Sequence, residues 1–594
     1  MKIPYLLAFL TYLPASGGML LLLLRDAQDK TIRWFAFLLS VAVFGFSLLL
    51  PFSFPSRSSG FAWEETLPWL QVPQLGISHH MGVDGINLFL ILLTTFLTPI
   101  AILSSFRSIS RSIRSFYAVL LFLETGMLGV FLALDLVLFY VFWEVMLVPM
   151  YLLIGVWGGE RRIYAAVKFI LYTMVGSLLM LVGILYLHLH TGTGGFDFPK
   201  IALQLASGAA ELTQGQEMWL FLAFFAAFAV KVPLFPLHTW LPDAHVEAPT
   251  AGSILLAGIL LKMGVYGILR FCLPLFPVAS TVFAPLISIL AVVGILYGAL
   301  VALVQTDIKK LIAYSSVSHL GFVVLGIFSF TLQGMQGAGY QMLNHGISTG
   351  ALFLIVGILY ERRHTRQIED FGGLARSMPK YAAVTLIIAL SSIGLPGLNG
   401  FVGEFLILLG VFAKNKTLAA IAVTGIFFSA AYMLWMYQRV YFGPLTSKEN
   451  QNLADLDPRE WVCLLPLILM IVWMGLYSQP FLQRMEGASQ RILHPIRTFN
   501  LAENRLQEVA RPSRSGPAFI ERKPFKTARG SISQPFTGPS HKTKVQKVAG
   551  FSVGQAASLS NDSLSIDSVS FESQAESQAG TPAPHLAEPR RLSP

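Results

Sequence analysis

Two cysteines, Cys272 and Cys463, stand in a chain of 594 residues. That excludes a disulfide framework, a four-cysteine iron–sulfur site and a thiolate zinc site within the chain, so any electron transfer must take place elsewhere. Charge is scarce as well: Asp, Glu, Lys and Arg make up 12%, where a soluble protein carries about 25%. With 54% hydrophobic residues, 45 Phe and 10 Trp and a mean hydropathy of +0.63, a soluble globule is excluded and the bilayer is the natural solvent. No nucleotide fingerprint competes with that reading, because the GTGG at Gly192 to Gly195 lacks the strand and helix that a phosphate cradle needs. His79 and His80, adjacent in an expected loop, read as polar loop residues rather than metal ligands.

What is present is a series of apolar runs. A spanning helix needs about 20 apolar residues, and about fourteen such runs are expected, at 3–24, 34–54, 86–105, 115–134, 136–157, 165–188, 218–240, 249–270, 281–304, 308–329, 336–360, 380–412, 417–442 and 460–482. The first is too long for a signal segment and is expected to be a retained helix. The fold class is therefore an all-α polytopic membrane protein.

The net charge of +10 is a matter of loops and not of nucleic acid. Lys and Arg in short loops stay on the cytoplasmic side. One alternate set of loops holds 18 basic residues, among them Arg107, Arg161, Lys309, Arg362, Arg366 and Arg459, against 6 in the other. With an even helix count both termini face away from the cytoplasm. From 483 to 594 the chain turns Ser-rich, with a basic middle. This tail is expected to be disordered.

Function is sought in ionisable groups inside the apolar runs, each costing at least about 2.5 kcal/mol near a helix centre. Glu124, Glu144, Lys168, Lys231, Lys262, His319, His345 and Glu404 lie about one per run along the middle of the chain. A bundle that turns them inward builds a polar row able to relay protons. Burial disfavours the charged forms of Glu and Lys while a nearby opposite charge restores them, so a buried Glu and Lys pair is bistable. Histidine bridges such steps because its ordinary pKa lies near neutrality. Glu124 and Lys168 lie near run ends, where a structural role is equally open. His238, seven residues after Lys231, would share its helical face and sits near the membrane exit.

Two runs are interrupted: Pro233 and Pro236 follow Lys231, and Gly394, Pro396, Gly397, Gly400 and Gly403 precede Glu404. Proline breaks the helical ladder, and broken backbone in a membrane is tolerated where it is buried or lines a wet cavity. The interruption falls in the fourth helix of each of two five-helix units, 115–270 and 281–442, which an odd helix number makes inverted repeats. Helices in 1–105 precede them and a last helix at 460–482 follows.

The stretch PLFPLHTWLPDAHVEAPTAGS from Pro233, with FWEVMLVPMYLLIGVWGG, KLIAYSSVSHLGFV, QMLNHGISTGALFLIVGILYERRHTRQIEDFGGL and LPGLNGFVGEF, resembles the antiporter-like membrane subunits of proton-pumping NADH:quinone oxidoreductase, nearest their M (chain 4) branch. The likeness is strong over about 80–440. The L branch would read PDAMEGPTP and carry a long lateral helix after the bundle; here the motif is PDAHVEAPT and no apolar helix is expected in the tail. The resemblance implies that Glu144 and Lys231 form the ion pair of a first half-channel, that Lys262 and His319 form a central relay with His345 nearby, and that Glu404 is the terminal acid. It also implies NADH oxidation, flavin, iron–sulfur clusters and quinone reduction in partner subunits, no cofactor in this chain, and neighbouring membrane-arm subunits as partners in a bacterial plasma membrane. Two other readings stay open: an autonomous sodium/proton antiporter, and a scaffold whose buried charges only fix helix packing.

Overall fold

The computed structural model describes residues 4–24, 28–55, 60–69, 76–445 and 447–510, all within one compact unit. Among these residues eleven helices are long and apolar enough to cross a membrane, and the apolar helices Leu88–Ser104 and Pro379–Ser392 are shorter. In chain order the principal helices are α1 (Leu6–Leu23), α2 (Asp29–Phe52), α3 (Leu88–Ser104), α4 (Ile113–Leu132), α5 (Leu136–Trp157), α6 (Arg162–Thr191), α7 (Phe198–Ser207), α8 (Gln214–Lys231), α9 (Trp240–Glu247), α10 (Thr250–Leu275), α11 (Pro277–Leu303), α12 (Ile308–Phe328), α13 (Leu332–Arg363), α14 (Pro379–Ser392), α15 (Asn399–Lys414), α16 (Lys416–Tyr441), α17 (Pro458–Leu476) and α18 (Gln479–Ala510).

Burial sorts these helices into a centre and a lipid-facing rim. In their most apolar stretches α10 and α13 are wholly buried and α12 and α4 nearly so, whereas in α2, α6, α16 and α17 most residues are not buried. The outer face of α6 shows Leu171, Val175, Leu178, Val182 and Leu185 to the surroundings, as a lipid-facing helix must. Lys262, His345, His319 and Glu124 therefore stand on the four helices that lipid reaches least.

Both expected interruptions are real breaks. α8 stops at Lys231, eight non-helical residues carry Pro233 and Pro236, and the chain resumes as α9. Trp240 Nε1 donates to the Val230 carbonyl at 2.9 Å, one of the acceptors that the broken ladder leaves open. Between α14 and α15, Gly394 and Gly397 take φ of +78° and +94°, the left-handed region that glycine enters without strain. The break between α8 and α9 means that Lys231 and His238 do not share one helical face, contrary to the seven-residue spacing argument. A third irregularity was not legible in the sequence: α10 contains π-helical turns at Leu256–Leu260 and Ile268–Cys272. Such turns free backbone acceptors and favour functional sites.

One face of the bundle gathers the loops counted as basic. There Arg362 makes a two-pronged pair with Glu460 at 2.7 Å, Arg459 meets Glu361 at 3.0 Å, Arg366 meets Asp307 at 3.2 Å, and Arg107 binds Asp457. The opposite face carries an antiparallel hairpin, β1 (Trp63–Pro68) with β2 (Ser78–Val83), in which Thr66 pairs with His80. The hairpin corrects the reading of His79 and His80 as loop residues. Both are buried in a strand: His79 bonds Tyr12 at 3.0 Å, and His80 sits between Asp197 at 2.6 Å and Glu64 at 2.9 Å. Burial disfavours the charged ring of His80, but the two carboxylates outweigh it and raise its pKa above the ordinary value.

The tail boundary also needs correction. Residues 483–510, expected to be disordered and without an apolar helix, belong to α18, which packs on α13, on α11 and on the end of α10. Phe481, Met485, Ala488, Ile492, Leu493 and Ile496 are all buried, at the three- and four-residue spacing of one helical face. The polar residues between them mask that periodicity in any composition average. The rest of the expected disordered tail, 511–594, lies outside the described residues.

Candidate functional site: a buried row of ionisable side chains

Lys262 is fully buried on α10, two residues after the first π-helical segment. Its Nζ reaches the Ala257 carbonyl within that segment and lies 2.6 Å from His345 Nδ1 on α13. At that distance the lysine and the imidazole cannot both be charged without large repulsion, so the pair is suited to hold one proton between them. The His345 and His319 rings have centroids 5.9 Å apart. His319 Nδ1 is 2.9 Å from Glu404 Oε1, which also accepts from Gln341 Nε2 at 2.9 Å, and Gln341 in turn accepts from Asn344 at 3.0 Å.

The gap between the two imidazoles opens on a small polar cavity of about 10 Å³, about the room of a single water, lined by His319, Gln341, Asn344, His345, Ser348 and Ser391. Ser348 and Ser391 join hydroxyls at 2.7 Å, and Ser391 donates to Asn399 at 2.5 Å, so the second helix break borders this cavity with polar groups. A Cβ at Gly394 would stand 3.3 Å from Glu404 Oε2. The break thus supplies both the polar lining and the room beside the acid.

The first half of the row is built differently. Lys231 Nζ has no hydrogen-bond partner and sits over the Trp143 ring at 5.2 Å and the Phe169 ring at 5.4 Å. Glu144 acts on it electrostatically, yet no carboxylate lies within 4.0 Å, so the two do not form a contact ion pair. Cation–π attraction holds the ammonium instead. Lys168 binds Asp243 of the PDAH motif at 2.7 Å. His238 lies in a cluster of rings with Phe235 and Tyr297. Glu124 is fully buried with both carboxylate oxygens unpartnered among the described residues. Among the described residues no direct contact joins Lys231 to Lys262.

Residues 133–429 match the family described as the membrane domain of NADH:quinone oxidoreductase and Mrp antiporters, and NADH-quinone oxidoreductase subunit M of Rhodobacter capsulatus is 47% identical over 482 residues, 80% of this chain and 93% of that one. The chain belongs to this family. NADH-ubiquinone oxidoreductase chain 4 of Marchantia polymorpha is 44% identical over 82% of this chain and 97% of its own length. A chain of the respiratory complex I of Thermus thermophilus superposes with a TM-score of 0.75 at 35% identity, covering 82% of this chain and 99% of that one. An archaeal membrane-bound sulfane sulfur reductase also superposes, with a TM-score of 0.71 at 25% identity over 79% of this chain and 76% of that one. The fold is thus shared with a chain of a second respiratory membrane complex.

Within this family member, two residues join the row that the sequence did not single out. His245 is fully buried, stacks on Phe353 at 4.5 Å, and has neither ring nitrogen bonded. Lys309 and Lys262 both act on it electrostatically. Lys309, counted from sequence as a loop cation, is buried in the first turn of α12 and donates to the Ala248 carbonyl at 2.5 Å. It borders a cavity of about 180 Å³, shared with Glu247, Arg366 and Tyr360, on the face of the basic loops. The signal for His245 was available: PDAHVEAP places it in the same motif as His238. For Lys309 there was none, because a lysine beside a run end reads as a loop residue.

Proposed function

We propose that the chain is a proton-translocating subunit of an NADH:quinone oxidoreductase, carrying protons through the row Lys262, His345, His319 and Glu404. The observation that supports this reading most is the continuity of that row: two contacts of 2.6 and 2.9 Å joined by imidazoles 5.9 Å apart, with all four side chains buried. NADH oxidation and quinone reduction take place in partner subunits, where flavin and iron–sulfur chemistry reside. This chain contributes the proton path.

The steps follow from the donors and acceptors. A proton held by Lys262 passes to His345 Nδ1. Imidazole that gains a proton on one nitrogen can release one from the other, and Nε2 of both His345 and His319 is buried without a protein partner. A proton leaving His345 Nε2 crosses the polar cavity to His319 Nε2, and His319 Nδ1 hands one to Glu404. Glu144 biases the Lys231 charge from a distance, so an electrostatic change in a neighbouring subunit can reach the first half of the row. Entry from the basic-loop face runs past Lys309 and His245. By the loop count that face is cytoplasmic, both termini lie on the other side, and the membrane is a bacterial plasma membrane. Each charge moved against 100 mV costs about 2.3 kcal/mol, which the redox reaction supplies.

Inverted membrane vesicles test this. NADH-driven proton uptake and quinone reduction are measured together for wild type and Glu404→Gln, with assembly checked on native gels. Loss of both activities in an assembled complex is expected; unchanged uptake sinks the proposal. The family's Mrp branch makes cation/proton antiport a second reading, and exchange of sodium for protons by the isolated chain in liposomes would favour it.

A further inference from the structure

An open groove of about 350 Å³ lies between α2, α3, α13 and α17, beside the first turn of α18. Every side chain lining it is apolar, including Phe44, Leu92, Phe96, Leu343 and Trp473, with one exception, Arg484. Several other partly or fully buried arginines are matched by a carboxylate. Arg270 has Asp84, Arg362 has Glu460, Arg459 has Glu361 and Arg366 has Asp307, whereas Arg484 bonds only the Pro480 carbonyl of its own helix at 2.9 Å and leaves a buried Nε unpartnered. No carboxylate lies within 4.0 Å of it among the described residues. A half-buried guanidinium without an anion is short of the charge-assisted bonds that normally hold it.

The placement of the cation relative to the apolar wall fixes the shape of the missing partner. Arg484 follows closely on the end of α17, and its carbonyl rests against Gly85, beside the β1–β2 hairpin. It is therefore at the membrane face. From Phe89 to Phe96 the wall descends α3 by about 10 Å, at 1.5 Å per residue, roughly a third of the ~30 Å hydrocarbon layer. An anion at the rim joined to an apolar chain running inward fills both parts. A free phosphate would leave the wall bare, and an apolar helix from a neighbour would leave the arginine unpaired.

We infer that this groove binds a glycerophospholipid of the leaflet on the hairpin side, its phosphodiester on Arg484 and one acyl chain along α3, α13 and α17. Bidentate geometry makes arginine well suited to phosphate. The site is independent of the proton row and of the enzyme's substrates.

The test uses the assembled complex reconstituted with phosphatidylglycerol that carries a diazirine in one acyl chain. After irradiation, labelled peptides are mapped for wild type, Arg484→Ala, Arg484→Lys and the groove-filling Leu92→Trp, each checked for assembly. Label is expected on the segments holding Leu92 to Phe96 and Met470 to Met474. It should fall about tenfold in Arg484→Ala, the loss of one charge-assisted hydrogen bond, fall likewise in Leu92→Trp, and return in Arg484→Lys. Absence of label from both segments, or label indifferent to both Arg484→Ala and Leu92→Trp, overturns the inference. So does a photoreactive residue at position 92 that cross-links to a neighbouring protein chain, since the groove would then be a subunit interface.

Discussion

Replacing Asp84 by Asn should loosen the face of the molecule that carries the hairpin, and the size of the effect can be worked from one cluster. Asp84 is fully buried just before α3 and receives two bonds of 2.7 Å from Arg270 of α10 and a third from Arg491 of α18. Burial alone would raise the Asp84 pKa; Arg270 first and Arg491 next outweigh it and hold the carboxyl down to about 2, against an ordinary 3.8. A depression of roughly two units corresponds to about 2–3 kcal/mol of stabilisation. Because the folded pKa is the lower one, that stability is fully present above pH ~4 and is lost as the pH falls toward 2. Asp84→Asn removes the charge at every pH and leaves two cations without it, so the cost should be larger, about 3–5 kcal/mol. The assay is the inactivation half-life of the detergent-solubilised complex at fixed temperature, with retention of this subunit followed on native gels. Asp84→Asn should shorten it strongly, and Arg270→Met in the same background should restore part of the loss, giving a coupling above about 1 kcal/mol. A half-life for Asp84→Asn equal to wild type, or additive losses in the double variant, would refute the argument that the cluster bolts hairpin, α10 and α18 together.

Three further expectations concern the row and its surroundings. His245→Phe keeps a ring on Phe353 and removes two unbonded nitrogens, so assembly should be normal while NADH-driven proton uptake falls; full uptake would make His245 a packing residue. Gly394→Ala forces a side chain into φ of +78° beside Glu404, costing about 1–2 kcal/mol and lowering uptake more than assembly; equal activity would show that the second break is not needed in this form. His80, raised by Asp197 and Glu64, should contribute stability that is complete below pH ~6.5 and fades as the pH rises through its folded pKa. Thermal stability of wild type and His80→Gln should then converge on the alkaline side, and a constant gap across pH 6–9 would contradict the assignment.

Much of the membrane architecture was legible because a bilayer leaves few choices. Backbone polar groups must be satisfied internally, so long apolar runs become helices, and prolines 233 and 236 and glycines 394 and 397 mark where the ladder stops. Buried charge is costly, and that cost made Lys262, His319, His345 and Glu404 visible one by one. Their pairing was not visible. The resemblance implied Lys262 with His319 and His345 nearby, whereas helix packing puts Lys262 against His345 and His319 against Glu404, since contact depends on how α10, α12, α13 and α15 are rotated about their axes. The same freedom separates Glu144 from Lys231 and gives the lysine to Trp143 and Phe169.

Composition hid other features for a different reason. The apolar face of α18 is one stripe in a polar sequence, and only its docking on α13 and α11 distinguishes it from a solvated tail. The hairpin depends on pairing between strands whose residues carry no strong alternation of their own. Lys309 is buried because α9 and the start of α10 close over it. The sequence by itself determined that the chain lives in a membrane, where its helices break and which side chains bear the cost of burial, since these follow from local chemistry and transfer energy. The tertiary structure alone decided which of those side chains touch and which cations meet a carboxylate, because both depend on distances between residues far apart in the chain.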